Sequence, residues 1–204
     1  MQLLKPNLDK LEEQGNVEKI CEIALNTFKR NDTDTCFEAV CALERLADPR
    51  ANQVLIFIVE NWLQLDTGKH IYAGQVRETA WAALASSGDA RIIQPLAGIL
   101  WKTWTPEGST KEDLAYFIKL VLSVEDEAED HLLEFLQDGY KKYHQTTGDE
   151  RIHKNLLGIL GAVGGERSLE YLERFYGVGP LDPNPAIDAI AMIKKRMRKK
   201  KRGQ

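Results

Sequence analysis

The sequence predicts an all-α chain in which about five pairs of helices stack as a solenoid, and three observations predict it. Four turn markers lie 41, 37 and 39 residues apart: Asp48, Asp89, Asp126 and Gly165. An apolar residue stands five residues before each marker, and another stands seven residues after it. The first set is Leu43, Leu84, Val121 and Leu160, and the second is Leu55, Leu96, Leu133 and Leu172. Within the segments apolar residues recur at intervals of three and four, which is helical, and no run alternates with the period of two of a strand.

Each repeat is predicted to contain a first helix (helix A), a loop and a second helix (helix B). A short helix around Asn7–Gln14 precedes helix A of the first repeat, which is predicted at Val17–Arg30. The last repeat has helix A near Glu166–Tyr176 and helix B from Pro185 to about Arg198. The loops inside the repeats are predicted at Asn31–Thr33, Asp66–Gly74, Thr105–Ser109, Gln145–Gly148 and Gly177–Asn184.

Two of the turns carry recognisable helix-start chemistry. Asp48 is followed by Pro49. The aspartate accepts a backbone N–H that has no helical partner, and proline lacks the donor that would be unpaired there. In Gly88-Asp89, glycine permits the positive φ of a helix stop and aspartate starts the next helix. These signals place helix A of the second and third repeats directly after the markers.

The segment Val76–Leu100, VRETAWAALASSGDARIIQPLAGIL, resembles the HEAT-like repeats of phycobilisome lyases, which typically read V-R-x-x-A-x-x-A-L-x-x-x-G-D. Pro6–Leu25 is similar to the opening of many small prokaryotic HEAT-repeat proteins. Asp126-Glu127 departs from the pattern by lacking its glycine, and Asp113 replaces its valine. The resemblance implies a right-handed α-α superhelix, a HEAT-like solenoid used mostly for protein contacts. Some members of the family assist chromophore attachment, and related folds bind DNA.

The composition is that of an ordinary globular chain. Apolar residues make up 43% and charged residues 28%. The densest apolar run, Val54–Val59, is far shorter than the roughly 20 residues that cross a bilayer. The start, Met-Gln-Leu-Leu-Lys-Pro, lacks the apolar core of a secretion signal, so we expect a cytoplasmic protein without a membrane span.

Residue patterns typical of catalysis or metal binding are missing from the sequence. Cys21, Cys36 and Cys41 form an odd set without CxxC spacing, and the four histidines show no HExxH pattern. Paired acidic residues fall at helix ends or turns, where they cap backbone amides. We therefore expect no enzyme activity, no cofactor and no metal.

Exposed positions of successive B helices are predicted to line a groove that binds a partner protein or peptide. The predicted groove residues are Glu38, Glu78, Tyr116, Lys119, Lys154 and Asn155. They run from acidic near the N-terminus to basic near the C-terminus, and an ordinary solvated face is the alternative interpretation. Gly158 and Gly161 are unfavourable inside a helix. They therefore indicate close approach, by a neighbouring helix or by a partner.

Aromatic residues recur near the ends of the A helices, at Trp62, Trp101, Trp104, Tyr140, Tyr143, Phe175 and Tyr176. They are interpreted as a packing seam between repeats, with an exposed recognition strip as the alternative.

The C-terminus is strongly basic, and we divide the chain into a repeat domain, residues 1–193, and a basic tail, residues 194–204. Eight cations lie within nine residues: Lys194, Lys195, Arg196, Arg198, Lys199, Lys200, Lys201 and Arg202. The chain carries −4 overall, with 27 basic and 31 acidic residues, so residues 1–193 hold 19 basic and 31 acidic side chains and carry −12. This asymmetry suits contact with nucleic acid or another anionic surface, and a solubilising end is the simpler interpretation.

Three functional hypotheses follow. The first is a non-catalytic protein-binding scaffold that uses the groove. The second is nucleic-acid binding through the basic tail and the Lys119/Lys154 side of the groove. The third, which depends on the family resemblance alone, is an accessory protein similar to a bilin lyase.

Overall fold

The computed structural model describes residues 7–65, 73–103, 111–143, 150–176 and 184–202, and within these ranges it contains helices and no β-strand. The α-helices in these ranges are α1 (Leu8–Glu13), α2 (Val17–Lys29), α3 (Thr33–Leu46), α4 (Asn52–Asn61), α5 (Ala73–Ser86), α6 (Ile93–Thr103), α7 (Lys111–Val124), α8 (Asp126–Tyr143), α9 (Glu150–Val163), α10 (Glu166–Tyr176) and α11 (Asn184–Arg202). The predicted all-α class is therefore confirmed for the described residues. By the predicted repeats, α2, α4, α6, α8 and α10 are A helices, and α3, α5, α7, α9 and α11 are B helices.

The predicted helix ends hold to within a few residues, with one clear difference. Helix α11 continues four residues beyond the predicted end at Arg198. Lysine and arginine are good helix formers, and their charge is favourable at a helix C-terminus, so the basic run extends the helix. Most of the predicted loop residues, at 66–72, 104–110, 144–149 and 177–183, lie outside the described residues.

The two predicted turn signals lie where helical structure begins, but both α-helices start later than predicted, because a 3-10 turn comes first after Asp48 and, at Ala90–Ile92, after Asp89. Asp48 accepts a hydrogen bond of 2.9 Å from the Arg50 N–H. Pro49 opens a single 3-10 turn, Pro49–Ala51, and the α-helix α4 begins only at Asn52. Gly88 has a φ of +62°, and Asp89 accepts a hydrogen bond of 3.1 Å from the Arg91 N–H. An aspartate of this kind therefore starts the helical segments of the second and third repeats.

The periodic apolar positions form the core. Each of the eight residues that define the repeat is at most 4% exposed: Leu43, Leu55, Leu84, Leu96, Val121, Leu133, Leu160 and Leu172. This burial confirms the predicted register of the repeats. It also explains why the segments are amphipathic helices, because one apolar stripe per helix is removed from water.

The chain forms two compact units, Met1–Ile92 and Ile93–Gln204. In the first unit α2 packs on α3 and α4 packs on α5, so each A helix contacts the B helix of its own repeat. In addition α2 contacts α4, and α3 packs closely on α5. The short α1 contacts α2 and α3. Helices of the same type therefore lie next to one another in this unit.

The second unit repeats this arrangement. Helix α6 packs on α7, α8 on α9 and α10 on α11. The A helices α6, α8 and α10 contact one another in sequence order, and the B helices α7, α9 and α11 do the same. The closest of these contacts joins α9 and α11, which together carry part of the predicted groove and the basic C-terminus.

Polar side chains join consecutive A-helix segments inside each unit, at sequence separations of 36–40 residues. In the first unit Asn52 Nδ2 donates to Asp89 Oδ2 over 3.0 Å. In the second unit the bonds run from Gln94 to Glu134, from Gly165 and Ser168 to Glu129, and from Arg167 to Asp130. The spacing of these bonds is that of the apolar repeat, so a polar repeat accompanies the apolar one.

Candidate functional site

The predicted groove residues lie at the surface of the B helices. Glu38, Glu78, Lys119 and Lys154 are exposed, and Tyr116 and Asn155 are half-buried. Their near neighbours in the same helices, such as Ala39, Ala80 and Leu120, are fully buried. The sequence therefore distinguished the outward from the inward side of α3, α5, α7 and α9. Whether these residues bind a partner stays a prediction.

In the first unit the predicted groove surface lies on α3 and α5, which pack together. The Thr79 hydroxyl on α5 lies close enough to the Cys41 thiol on α3 to lower its pKa, against the larger opposite effect of burial. Glu38 stands one turn before Cys41, and Glu78 directly precedes Thr79. The two carboxylates therefore belong to one seam between adjacent helices, which we call the acidic seam and define as Glu38, Cys41, Glu78 and Thr79.

In the second unit the two glycines of α9 have different surroundings. A Cβ placed on Gly161 would lie 2.9 Å from the Cα of Ala189, so this glycine lets α11 approach α9. A Cβ on Gly158 would meet nothing within 4 Å, and Gly158 is exposed on the same helix as Lys154 and Asn155. The close helix approach therefore explains Gly161 but not Gly158.

The aromatic residues predicted to form a seam take part in packing where the structure describes them. In the first unit the Arg77 guanidinium lies 4.9 Å from the centre of the Trp62 ring. In the second unit Trp101 meets Phe135 edge-on, with ring centres 6.3 Å apart. Trp104 and the side chains of Tyr140, Tyr143, Phe175 and Tyr176 lie outside the described residues.

The eight cations of the C-terminus do not all lie on one side of α11. Arg196 points inward, where its guanidinium donates to the carbonyl oxygens of Ala162 (2.7 Å), Val163 and Gly164. These carbonyl groups lie at the C-terminus of α9, where no backbone N–H of the helix is left to bond them. The helix dipole also favours a positive charge at this end. Arg196 therefore anchors α11 to the end of α9.

Five of the other cations share the outward face of α11. Lys194, Lys195, Arg198, Lys199 and Arg202 line a surface depression of about 490 Å³ together with Ala191. We call these five residues the basic face. They recur at helical intervals of three and four, so they project from one side of the helix. Lys194 also pairs with Glu173 of α10 at 3.0 Å.

The cysteines are not poised as nucleophiles. Burial raises the pKa of Cys36 to about 12 and that of Cys21 to about 11, with the charges of Glu18 and Asp48 adding to the effect at Cys21. Burial also raises the pKa of Cys41. Because the thiolate is the reactive form, all three are held in the unreactive state at neutral pH.

Sequence reasoning missed the buried polar residues. Arg77 is 7% exposed and Asp113 is 2% exposed, although both types are usually found at the surface. Glu129 accepts hydrogen bonds from the backbone N–H groups of Gly165 (2.8 Å) and Ser168 (3.0 Å), and from Ser168 Oγ (2.7 Å). The departure of Asp113 from the repeat pattern was the one available signal.

The described residues hold neither a cluster of metal ligands nor a long apolar helix. Within these residues no three His, Cys, Asp or Glu side chains are grouped to hold a metal ion. None of the described helices combines the length and apolar content that a bilayer span requires.

No protein-family model matches the chain, and no curated protein or solved structure is significantly similar to it.

Proposed function

We propose that this chain is a non-catalytic, HEAT-like helical-repeat protein, a right-handed α-α superhelix that binds another protein through the exposed side of its B helices. The observation that carries the proposal is the packing of B helix on B helix inside each unit, with the predicted groove residues exposed between buried neighbours. Stacked repeats of this kind generate an extended binding surface from one exposed row per repeat. The recurring polar bonds between A helices support the same repeat architecture.

The acidic seam indicates the chemistry of one part of the partner. Glu38 and Glu78 place two carboxylates beside the small side chains Cys41 and Thr79, on helices that are packed firmly together. Carboxylates on two neighbouring helices attract lysine or arginine side chains through charge-assisted hydrogen bonds. We infer that a basic segment of the partner contacts the first unit.

The groove residues of the second unit have the opposite charge. Lys119 on α7 and Lys154 on α9 are exposed, with half-buried Tyr116 and Asn155 beside them in sequence or one turn away. Gly158 adds a position at which a partner backbone can approach α9 without meeting a side chain. We infer that an acidic or neutral segment, rich in hydrogen-bond acceptors, contacts this unit.

Affinity purification from nuclease-treated native extract tests the proposal. The wild-type chain is compared with a charge-reversed variant, Glu38→Lys/Glu78→Lys. A matched control, Asp9→Lys/Glu13→Lys, makes the same change on exposed residues of α1. We expect one co-purifying protein to be lost with the seam variant and kept with the control, with binding weakened at least tenfold.

The result that overturns the proposal is equally defined. If the seam variant and the control retain the same set of proteins in the same amounts, the exposed side of the B helices of the first unit is an ordinary solvated surface. Equal far-UV circular dichroism of the three proteins shows that the comparison concerns binding and not folding.

A further inference from the structure

The basic face of α11 is directed away from the rest of its unit. The buried residues Ala186, Ala189 and Ile193 occupy one side of α11. At 100° per residue the basic face lies on the opposite side of the helix. The five cations are therefore presented to the solvent by a helix whose other side is fixed by packing on α9 and α10.

The inward side chains hold this face in position. Arg196 joins α11 to the last carbonyls of α9, and Gly161 allows Ala189 to approach closely. Lys194 is held at the edge of the face by Glu173. The cations therefore project from a fixed helix, and less conformational entropy is lost when an anion binds them than with a disordered tail.

We propose that the basic face binds the phosphate backbone of double-stranded nucleic acid without reading its base sequence. The face contains ammonium and guanidinium groups, which are the usual partners of phosphate oxygens. It contains no aromatic side chain on which an unpaired base could stack, so the duplex is favoured over the single strand. Positioning contacts of this type carry no sequence information.

Charge density favours a duplex over an acidic protein. From Lys194 to Arg202 the helix rises about 12 Å at 1.5 Å per residue. Duplex DNA presents one negative charge per about 1.7 Å, or about seven charges over that length. A fully acidic extended peptide presents at most one carboxylate per about 3.3 Å, or about four. A duplex therefore has enough charges over this length to pair with all five cations, whereas an extended acidic peptide does not.

The packing of α11 disfavours insertion into a lipid surface. An interfacial helix buries its apolar side in the lipid. The apolar side of α11 is already buried in the protein, and Ile187 and Met192 are the large apolar side chains of this helix that are exposed. The rest of the chain carries an excess of acidic residues, which are repelled by an anionic surface. This repulsion is greater at a bilayer than at one duplex, because the bilayer is a far larger surface.

Fluorescence anisotropy with labelled duplexes of about 20 base pairs, DNA in one arm and RNA in the other, tests the proposal on the full chain between about 50 and 200 mM salt. For DNA we expect log affinity to fall by about 0.9 per cation for each decade of salt, a slope of about −4.5 if all five cations make contact. The variant Lys195→Gln/Arg198→Gln/Lys199→Gln should reduce that slope by about 2.7 and weaken binding at least tenfold at about 100 mM salt. Arg196 is kept because it anchors the helix.

The matched control is Lys10→Gln/Lys29→Gln/Arg174→Gln, which removes the same three charges from exposed positions on α1, α2 and α10. We expect it to keep the wild-type slope. Binding of either duplex that is lost only in the test variant supports the proposal, and the stronger arm identifies the source of the phosphate. Equal losses in both variants, no binding of either duplex at about 50 mM salt, or tighter binding of phosphatidylserine vesicles or polyglutamate than of both duplexes would overturn it.

Discussion

At the scale of single residues, side chains from one helix close the ends of another. Glu129 of α8 accepts the free N–H groups that open α10, and Arg196 of α11 donates to the carbonyls that end α9. Both bonds join helices of the same type in neighbouring repeats. Capping thus contributes to the stacking of the repeats as well as to the stability of each helix.

The cap made by Glu129 predicts a pH dependence of stability. Burial opposes ionisation, but the bonds from Ser168 Oγ and from the N–H groups of Gly165 and Ser168 outweigh it, so the pKa of Glu129 is lowered from its ordinary 4.5. A lowered folded-state pKa stabilises the native state above about pH 4.5, and the effect is lost as the pH falls through the lowered value. Glu129→Gln should cost about 1–2 kcal/mol of unfolding free energy at pH 7 and less in acid, measured by urea denaturation.

A matched control for this prediction is Glu166→Gln. It changes an exposed carboxylate in the first turn of α10, the helix whose start Glu129 caps. It should cost no more than about 0.5 kcal/mol. A cost for Glu129→Gln that stays the same at pH 7 and in acid would contradict the assignment of Glu129 as an ionised cap.

At the scale of the element, helix α9 uses two glycines for different reasons. Each costs about 1 kcal/mol relative to alanine in a helix interior. At Gly161 this cost is offset by the close packing of α11, whereas Gly158 faces open space. The sequence showed that both positions were unusual but could not separate them, because the separation depends on where α11 lies.

Substitution by alanine should therefore have opposite effects at the two positions. Gly161→Ala should lower the unfolding free energy by about 1–3 kcal/mol, because the new methyl group would press against the backbone of Ala189. Gly158→Ala should raise it by about 0.5–1 kcal/mol, because helix propensity improves and nothing is displaced. The midpoint of urea unfolding measures both, and equal signs would refute the stated packing of α9 on α11.

At the scale of the whole molecule, the stability of the chain depends on a repeated apolar register that runs through both compact units. Leu84 of α5 belongs to the first unit and Leu160 of α9 to the second, and both are fully buried at equivalent positions of the repeat. Because the register comes from spacing alone, it could be predicted without knowing any contact between helices.

Leu84→Ala and Leu160→Ala should each cost about 2–5 kcal/mol of unfolding free energy, since each leaves a cavity in a packed core. Leu122→Ala is the control, because Leu122 is 48% exposed on α7 and should cost about 0.5 kcal/mol or less. Calorimetric unfolding of the three variants provides the measurement. A cost at either core position as small as that of Leu122→Ala would show the register to be wrong.

The sequence predicted the helices, their register and the outward side of α3, α5, α7 and α9, because these depend on local spacing and on capping residues such as Asp48 and Asp89. It did not predict the inward role of Arg196, since charge alone cannot distinguish an anchoring arginine from a solvated one. The burial of Arg77 and the cap at Glu129 were missed for the same reason. Each depends on contacts between segments far apart in the chain.

The division of the C-terminal cations has a practical consequence for how the chain is shortened. The charge boundary at residue 194 falls inside α11, so trimming there would strip away positive charge and also expose the end of α9 that Arg196 covers. A truncated protein of that kind would lose stability and any affinity for anions together. Ending the chain after Met197 instead leaves the arginine clamp intact and removes only the outermost turns.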